Sequence, residues 1–170
     1  YPGRKLIRLK PSVVKGIPGF VQAISAEDSG AHGFNVHMGM IDELHALPNR
    51  NLVDVIKTGT SSKNRRQPLI AYATTSDFER PSICNETHEY ASKVRDAVID
   101  DPRFLPAIWE ATLEDDWKSP ETWKKANPNY GISVSEDYLA RECQRAVESP
   151  AYENTFKRLH LNIKTEQDVR

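Results

Sequence analysis

Met38-Gly39-Met40-Ile41-Asp42-Glu43-Leu44-His45 joins a short apolar run to two adjacent carboxylates. Further along, Gln67-Pro68-Leu69-Ile70-Ala71-Tyr72-Ala73 is a second apolar run, and it ends in Thr74-Thr75. Between the two, Leu52, Val53, Val55 and Ile56 recur at helical spacing after Pro48, which predicts a helix over 49–58. Strand, helix, strand is the order of an α/β sheet with parallel neighbours. The apolar residues of 36–41 do not alternate cleanly, so that strand is expected to be covered on both faces. Gly39 within it predicts close approach of another backbone.

Outside this unit the reading is coarser. Residues 4–10 and 20–24 are strand candidates, and 27–33 is a turn rich in Gly, Asp and Ser. Past Thr75 the pattern turns helical. A helix is expected over 85–99, with Tyr90, Val94, Ala97 and Val98 on one face. A further strand is expected over 104–111. Ser119-Pro120 opens another helix, which should stop near Asn127-Pro128. Ser135 caps a third, over 135–148, with Leu139, Cys143 and Val147 spaced for one face, and 152–161 gives a fourth. The tail from Lys164 is polar and expected to fray. The domain reading is therefore 1–80 as a sheet-bearing part and 81–170 as a small, mostly helical region.

The paired acids point to chemistry. Magnesium takes hard oxygen ligands and keeps several waters, so one strand-end carboxylate suffices beside phosphates. Asp42 fits that role, and Glu43 would sit by an attacking water to orient or deprotonate it. Ligands of open α/β sheets bind at the carboxyl ends of strands, where both acids lie. Thr74 and Thr75, at the end of a neighbouring strand, could place a hydroxyl near the same phosphate. The structural alternatives are an acidic first turn of a helix for Asp42-Glu43 and two β-branched strand residues for Thr74-Thr75. The fold class is thus α/β, a partial P-loop NTPase-type (RecA/ASCE-like) sheet with flanking helices and a helical appendage. The cofactors expected are ATP and Mg2+, in the complete parent protein. No Gly-x-x-x-x-Gly-Lys-Ser/Thr occurs, and Lys57-Thr58-Gly59-Thr60 lacks that order.

Composition narrows the partners. The 170 residues allow one domain or one domain plus an appendage. With 38% hydrophobic and 28% charged residues, and a mean hydropathy of -0.61, the surface is polar. Lys plus Arg number 23 against 24 Asp plus Glu, a net charge of -1, so no global basic field draws the chain to DNA or acidic membranes. No apolar run reaches the roughly 18 residues a membrane helix needs. Cys84 and Cys143 form no CxxC pair, which favours a reduced, cytoplasmic setting. The start at Tyr1, with no signal peptide, predicts a trimmed or truncated product.

Other candidates are weighed against plainer roles. His32, His37 and His45 follow no HxxxH or HExxH spacing and are expected on the surface or in supporting positions rather than on a metal. Lys63, Arg65 and Arg66 could meet phosphate, but such a loop is usually solvated. Trp109, Trp117 and Trp123 are expected as packing anchors, not as a platform for single-stranded DNA.

In this order the signals resemble the large terminase subunit of tailed bacteriophages. Four blocks carry the resemblance: Gly33 with Ile41-Asp42-Glu43-Leu44-His45; Arg66-Gln67-Pro68-Leu69 with Ala73-Thr74-Thr75; Asp115-Asp116-Trp117 with Trp123 and Ala126-Asn127-Pro128; and Phe156 with Leu161-Asn162. It spans roughly Phe20 to Asn162. It implies that Asp42 is the Walker B aspartate that meets the magnesium of Mg-ATP, Glu43 the catalytic glutamate, and Thr74 and Thr75 the coupling motif. It makes 1–80 the C-terminal part of the ATPase domain and 81–170 a lid or linker towards a nuclease domain. The Walker A lysine would lie upstream of Tyr1 and the nuclease carboxylates downstream of Arg170, so this piece alone is expected to be inactive. Implied partners are double-stranded DNA, the small terminase subunit and the portal of the prohead, with a homo-oligomeric motor in the cytoplasm of a bacterial host and no membrane. Gly39 interrupts the family's usual aliphatic run.

Two other readings remain. Asp42-Glu43-Leu44-His45 with Ala73-Thr74-Thr75 also matches a DExH helicase, although Arg141 and Arg145 lie in an ordinary helix. A non-enzymatic interaction module or prophage remnant is the third, supported by the missing phosphate loop.

Overall fold

A computed structural model describes residues 6–8, 19–25, 33–63 and 66–166. Two compact units emerge, Tyr1–Gly39 with Asn51–Leu69, and Met40–Arg50 with Ile70–Arg170. The first contains an antiparallel pair, β1 (Leu6–Arg8) and β2 (Phe20–Gln22). The expected strands over 4–10 and 20–24 are thus seen as three-residue segments. The 27–32 part of the expected turn, with His32, lies outside the described residues, as does Arg65.

A second small sheet pairs β3 (Met38–Asp42) with β4 (Leu69–Ala73). The Leu69 N–H donates to the His37 carbonyl at 2.9 Å where the strands start. The His45 N–H donates to Thr74 Oγ1 at 3.1 Å beyond their ends. Start meeting start and end meeting end means that the two run in the same direction. A single, mainly parallel sheet is nevertheless not what the described residues form. They form an α/β arrangement with two two-stranded sheets, one of them antiparallel.

Strand β3 alternates cleanly, contrary to expectation. Gly39 and Ile41 are buried, whereas Met38 and Met40 are exposed. One face alone is covered, because methionine and glycine disguise the period of two in the sequence. Helix α1 (Asn51–Gly59) buries Val53 and Ile56. A Cβ on Gly39 would sit 2.5 Å from Ile56 Cγ2, so the glycine admits a side chain, not the second backbone expected.

The second unit is mostly helical: α2 (Ile83–Arg95), α3 (Pro120–Ala126), α4 (Glu136–Glu148) and α5 (Pro150–Leu161). Ser82, Ser119 and Ser135 each accept a backbone N–H of the first turn, from Asn85, Glu121 and Tyr138, which contributes about 1 kcal/mol per cap. Trp123, Ala126, Leu139, Cys143, Ala146, Phe156, Leu161 and Ile163 form its core, with Trp117 packed at the edge. Trp123 donates its indole N–H to the Trp117 carbonyl at 2.9 Å. Both act as anchors as expected, but Trp109 is half exposed and does not.

Four expectations are corrected here. Residues 104–110 alternate between half-buried and exposed as a strand would, but 104–111 pair with no strand among the described residues. Pro106 offers no N–H, and the free groups serve other partners: the Ala111 N–H donates to the Leu161 carbonyl, and the Trp109 carbonyl accepts from Asn162 Nδ2, both at 2.9 Å. Helix α2 stops at Arg95 and buries Ile83, Cys84 and Ala91, leaving Val98 outside. In α4 the third buried position is Ala146, not Val147, since seven residues return closer to the starting face than eight. Residues 164–166 do not fray: Thr165 is buried and its carbonyl accepts the Glu79 N–H at 2.9 Å.

Candidate functional site

The site belongs wholly to the second unit. Strand β3 ends at Asp42, and Glu43 then adopts the left-handed region (φ 53°, ψ 52°), which ends the strand and swings the next side chains off its line. Leu44, almost fully buried, pins a single 3-10 turn over Leu44–Ala46, closed by the Ala46 N–H donating to the Glu43 carbonyl at 2.8 Å. Asp42 Oδ1 accepts the Glu43 N–H at 3.1 Å. Both carboxylates face solvent. A strand tip with two exposed acids is the outcome expected of the sequence, and neither acid lies in a helix.

Thr74 and Thr75 follow the end of β4 and come to the same place. The link is His45, whose Nδ1 lies 3.2 Å from Glu43 Oε2, 3.0 Å from Thr74 Oγ1 and 3.4 Å from Thr75 Oγ1. Its ring is largely covered, which is the supporting position of the two places expected for these histidines; His37 is exposed, the other. Thr74 Oγ1 donates to the Thr75 carbonyl at 2.8 Å, and Cys84 Sγ lies 3.8 Å behind it. Burial pushes the Cys84 thiol up, so it stays a neutral packing group rather than a nucleophile.

The backbone of His45 is held from the other side as well. Arg80 Nη2 donates to the His45 carbonyl at 3.3 Å, while the same guanidinium grips Asp77 at 3.1 Å. Asp77 is buried. Burial pushes its carboxyl up, but hydrogen bonds from Ser82, Arg80 and the Phe78 N–H outweigh this and hold it below the usual range. Sequence reasoning missed Asp77, Arg80 and the hub role of His45. The Asp-x-x-Arg spacing two residues past Thr75 was the one signal available.

Chemically, the tip offers exposed oxygen ligands. Asp42 fits a magnesium that takes most of its ligands from phosphate and water, and among the described residues no cluster of three or more His, Cys, Asp or Glu side chains could hold a metal by itself. Glu43 presents a second exposed carboxylate next to that of Asp42. Lys63 and Arg66 are exposed.

Comparison with known proteins gives the same direction. Residues 5–93 match the family model described as terminase large subunit, ATPase domain. The chain is 30% identical over 131 residues to Protein YmfN of Escherichia coli K12, covering 77% of this chain and 28% of that protein. It is 30% identical over 166 residues to the terminase large subunit of Enterobacteria phage HK97, covering 94% of this chain and 31% of that one. The crystal structure of the HK97 large terminase superposes with a TM-score of 0.72 at 26% identity, over 85% of this chain and 29% of that chain. The chain thus spans less than a third of the length of these relatives. It belongs to the terminase large-subunit family and carries part of its ATPase domain.

Proposed function

We propose that this chain is part of an ATP-driven DNA-packaging motor and contributes half of its hydrolysis site. Asp42 holds the magnesium of Mg-ATP, Glu43 orients and deprotonates the attacking water, and Thr74 with Thr75 reports the state of the γ-phosphate to the rest of the protein. The observation that carries this reading is the meeting of the β3 tip and the β4 tip at one imidazole, which puts the acid and the threonines in one hydrogen-bonded group. The phosphate-cradling loop is absent from these 170 residues and would be supplied from outside them. The region after about residue 80 is read as lid or linker towards a nuclease. The proposed partners are double-stranded DNA, a small terminase subunit, the portal of a prohead and further copies of the motor subunit, in a host cytoplasm. The family match favours this over the helicase reading.

The test is Glu43→Gln in the complete protein that carries this chain. Binding of Mg-ATP should persist while turnover falls by about 100-fold or more. Unchanged turnover would remove Glu43 from the role, and with it the support for the ATPase reading of this tip.

A further inference from the structure

The hydrogen-bond bookkeeping around His45 carries one step more. The single proton of the Thr74 hydroxyl goes to the Thr75 carbonyl. Thr74 Oγ1 is then an acceptor towards its other neighbours, the His45 backbone N–H, the His45 ring and the Cys84 thiol. The Glu43 carboxylate oxygen 3.2 Å from Nδ1 of His45 can only accept, which assigns the ring N–H to Nδ1. That one N–H has three acceptors within reach: the Thr74 hydroxyl at 3.0 Å, Glu43 Oε2 at 3.2 Å and the Thr75 hydroxyl at 3.4 Å. One donor cannot satisfy three acceptors at full strength. The backbone of His45 cannot drift to favour any of them, because Thr74 fixes its N–H and the Asp77–Arg80 pair fixes its carbonyl. The ring is a fixed post, and the threonines and the glutamate compete for it.

The geometry points to His45 as the positioning residue through which Thr74 and Thr75 govern the Glu43 carboxylate. A hydrogen bond to Oε2 fixes the carboxylate and leaves Oε1 to accept from water. When the threonine hydroxyls turn towards another partner, the N–H passes fully to Glu43 and the carboxylate is held more firmly; when they turn back, it is loosened. Nothing in this requires His45 to touch the nucleotide. The inference rests on the proposed role of Glu43.

The experiment uses the complete protein, four single variants (Glu43→Gln, His45→Leu, His45→Asn and Thr74→Val) and one double variant. Leucine fills the space of the ring without a donor. Asparagine places an amide N–H close to where Nδ1 stands. His45→Leu should lower kcat for ATP about 10- to 100-fold, leave KM and the Kd of a non-hydrolysable ATP analogue within about twofold, and be restored to within about threefold by His45→Asn. The double variant His45→Leu with Thr74→Val should be no slower than the slower single variant, because both remove one shared link. Full turnover in His45→Leu overturns the assignment. So does an equal loss in the asparagine variant, a loss that appears in analogue binding, or full additivity in the double variant. Glu43→Gln separates the two levels: if it turns over normally, the catalytic reading fails first, whereas its loss beside an unaffected His45→Leu rejects His45 alone.

Discussion

Asp42 and Glu43 are joined by more than the chain: Asp42 Oδ1 takes the N–H of Glu43, and Glu43 sits in the left-handed region at φ 53°. A residue with a Cβ is disfavoured there by about 1–2 kcal/mol, and only glycine escapes the penalty at no steric cost. The fold retains a costly glutamate at the strand tip, which fits a side chain selected for chemistry. Glu43→Gly should raise stability by about 1 kcal/mol, about 2–4 °C in Tm for a chain of this size, while abolishing turnover in the complete protein. Thermal melts of the variant beside wild type check this; a lowered Tm would show that the glutamate is held there for structural reasons.

The contact between Gly39 and Ile56 gives a second prediction. Gly39→Ala drives a methyl to 2.5 Å from Ile56 Cγ2, and a β-branched side chain cannot rotate that atom away freely. The substitution should cost about 1–3 kcal/mol in urea unfolding. Ile56→Leu moves the branch out to Cγ and removes Cγ2. In that background Gly39→Ala should cost clearly less, and an equal cost in both backgrounds would place the strain elsewhere.

These two residue pairs also show what could be read from the sequence. The tips of β3 and β4 were legible because each apolar run ends where polar residues begin. Ser119-Pro120 and Ser135 were legible because a cap is a local bond. The role of His45 was not. It depends on the left-handed turn at Glu43, which swings the ring back, and on Thr74, 29 positions away in the chain. The alternation of Phe104, Pro106, Ile108 and Glu110 towards the protein marks extended backbone correctly. It carries no information on whether a partner strand exists, and here helix α5 and Asn162 take the available groups. Residues 164–166 depart from the prediction for a related reason: polar residues fray unless their backbone finds a partner, and Thr165 finds Glu79.

His160 supplies a pH dependence. Burial lowers its pKa below 6.5, against a smaller opposing pull from Glu142, and its ring packs 5.3 Å from that of Phe156 and 5.6 Å from that of Tyr138. The folded state therefore favours the neutral ring, while the unfolded chain binds a proton at about 6.5. Stability from this group is complete above pH 6.5 and declines as pH falls through the window between 6.5 and the lower folded value, because the unfolded state then holds more protons. Urea midpoints measured from pH 7.5 down to pH 5 should fall, and His160→Phe should flatten the decline over that window. A midpoint that rises on acidification would contradict the sign.

Asn162 ties the threonine strand end to the extended segment and to α5. It caps α5 in the left-handed region (φ 55°), its Oδ1 accepts the Ser76 N–H at 3.3 Å, its Nδ2 donates to the Trp109 carbonyl at 2.9 Å, and its own carbonyl accepts the Ser76 hydroxyl. Two substitutions separate these roles. Asn162→Gly keeps the backbone conformation and loses only the two side-chain bonds, a cost of about 1 kcal/mol each. Asn162→Ala loses the same bonds and adds the left-handed penalty of about 1–2 kcal/mol. Alanine should therefore be the more damaging of the two in urea unfolding, although in helix interiors the order is reversed. Because Ser76 follows Thr75 directly, amide hydrogen exchange at Ser76 should also quicken in both variants. Protected exchange at Ser76 together with glycine costing more than alanine would mean that Asn162 neither caps the helix by its conformation nor anchors the residues beside the threonines.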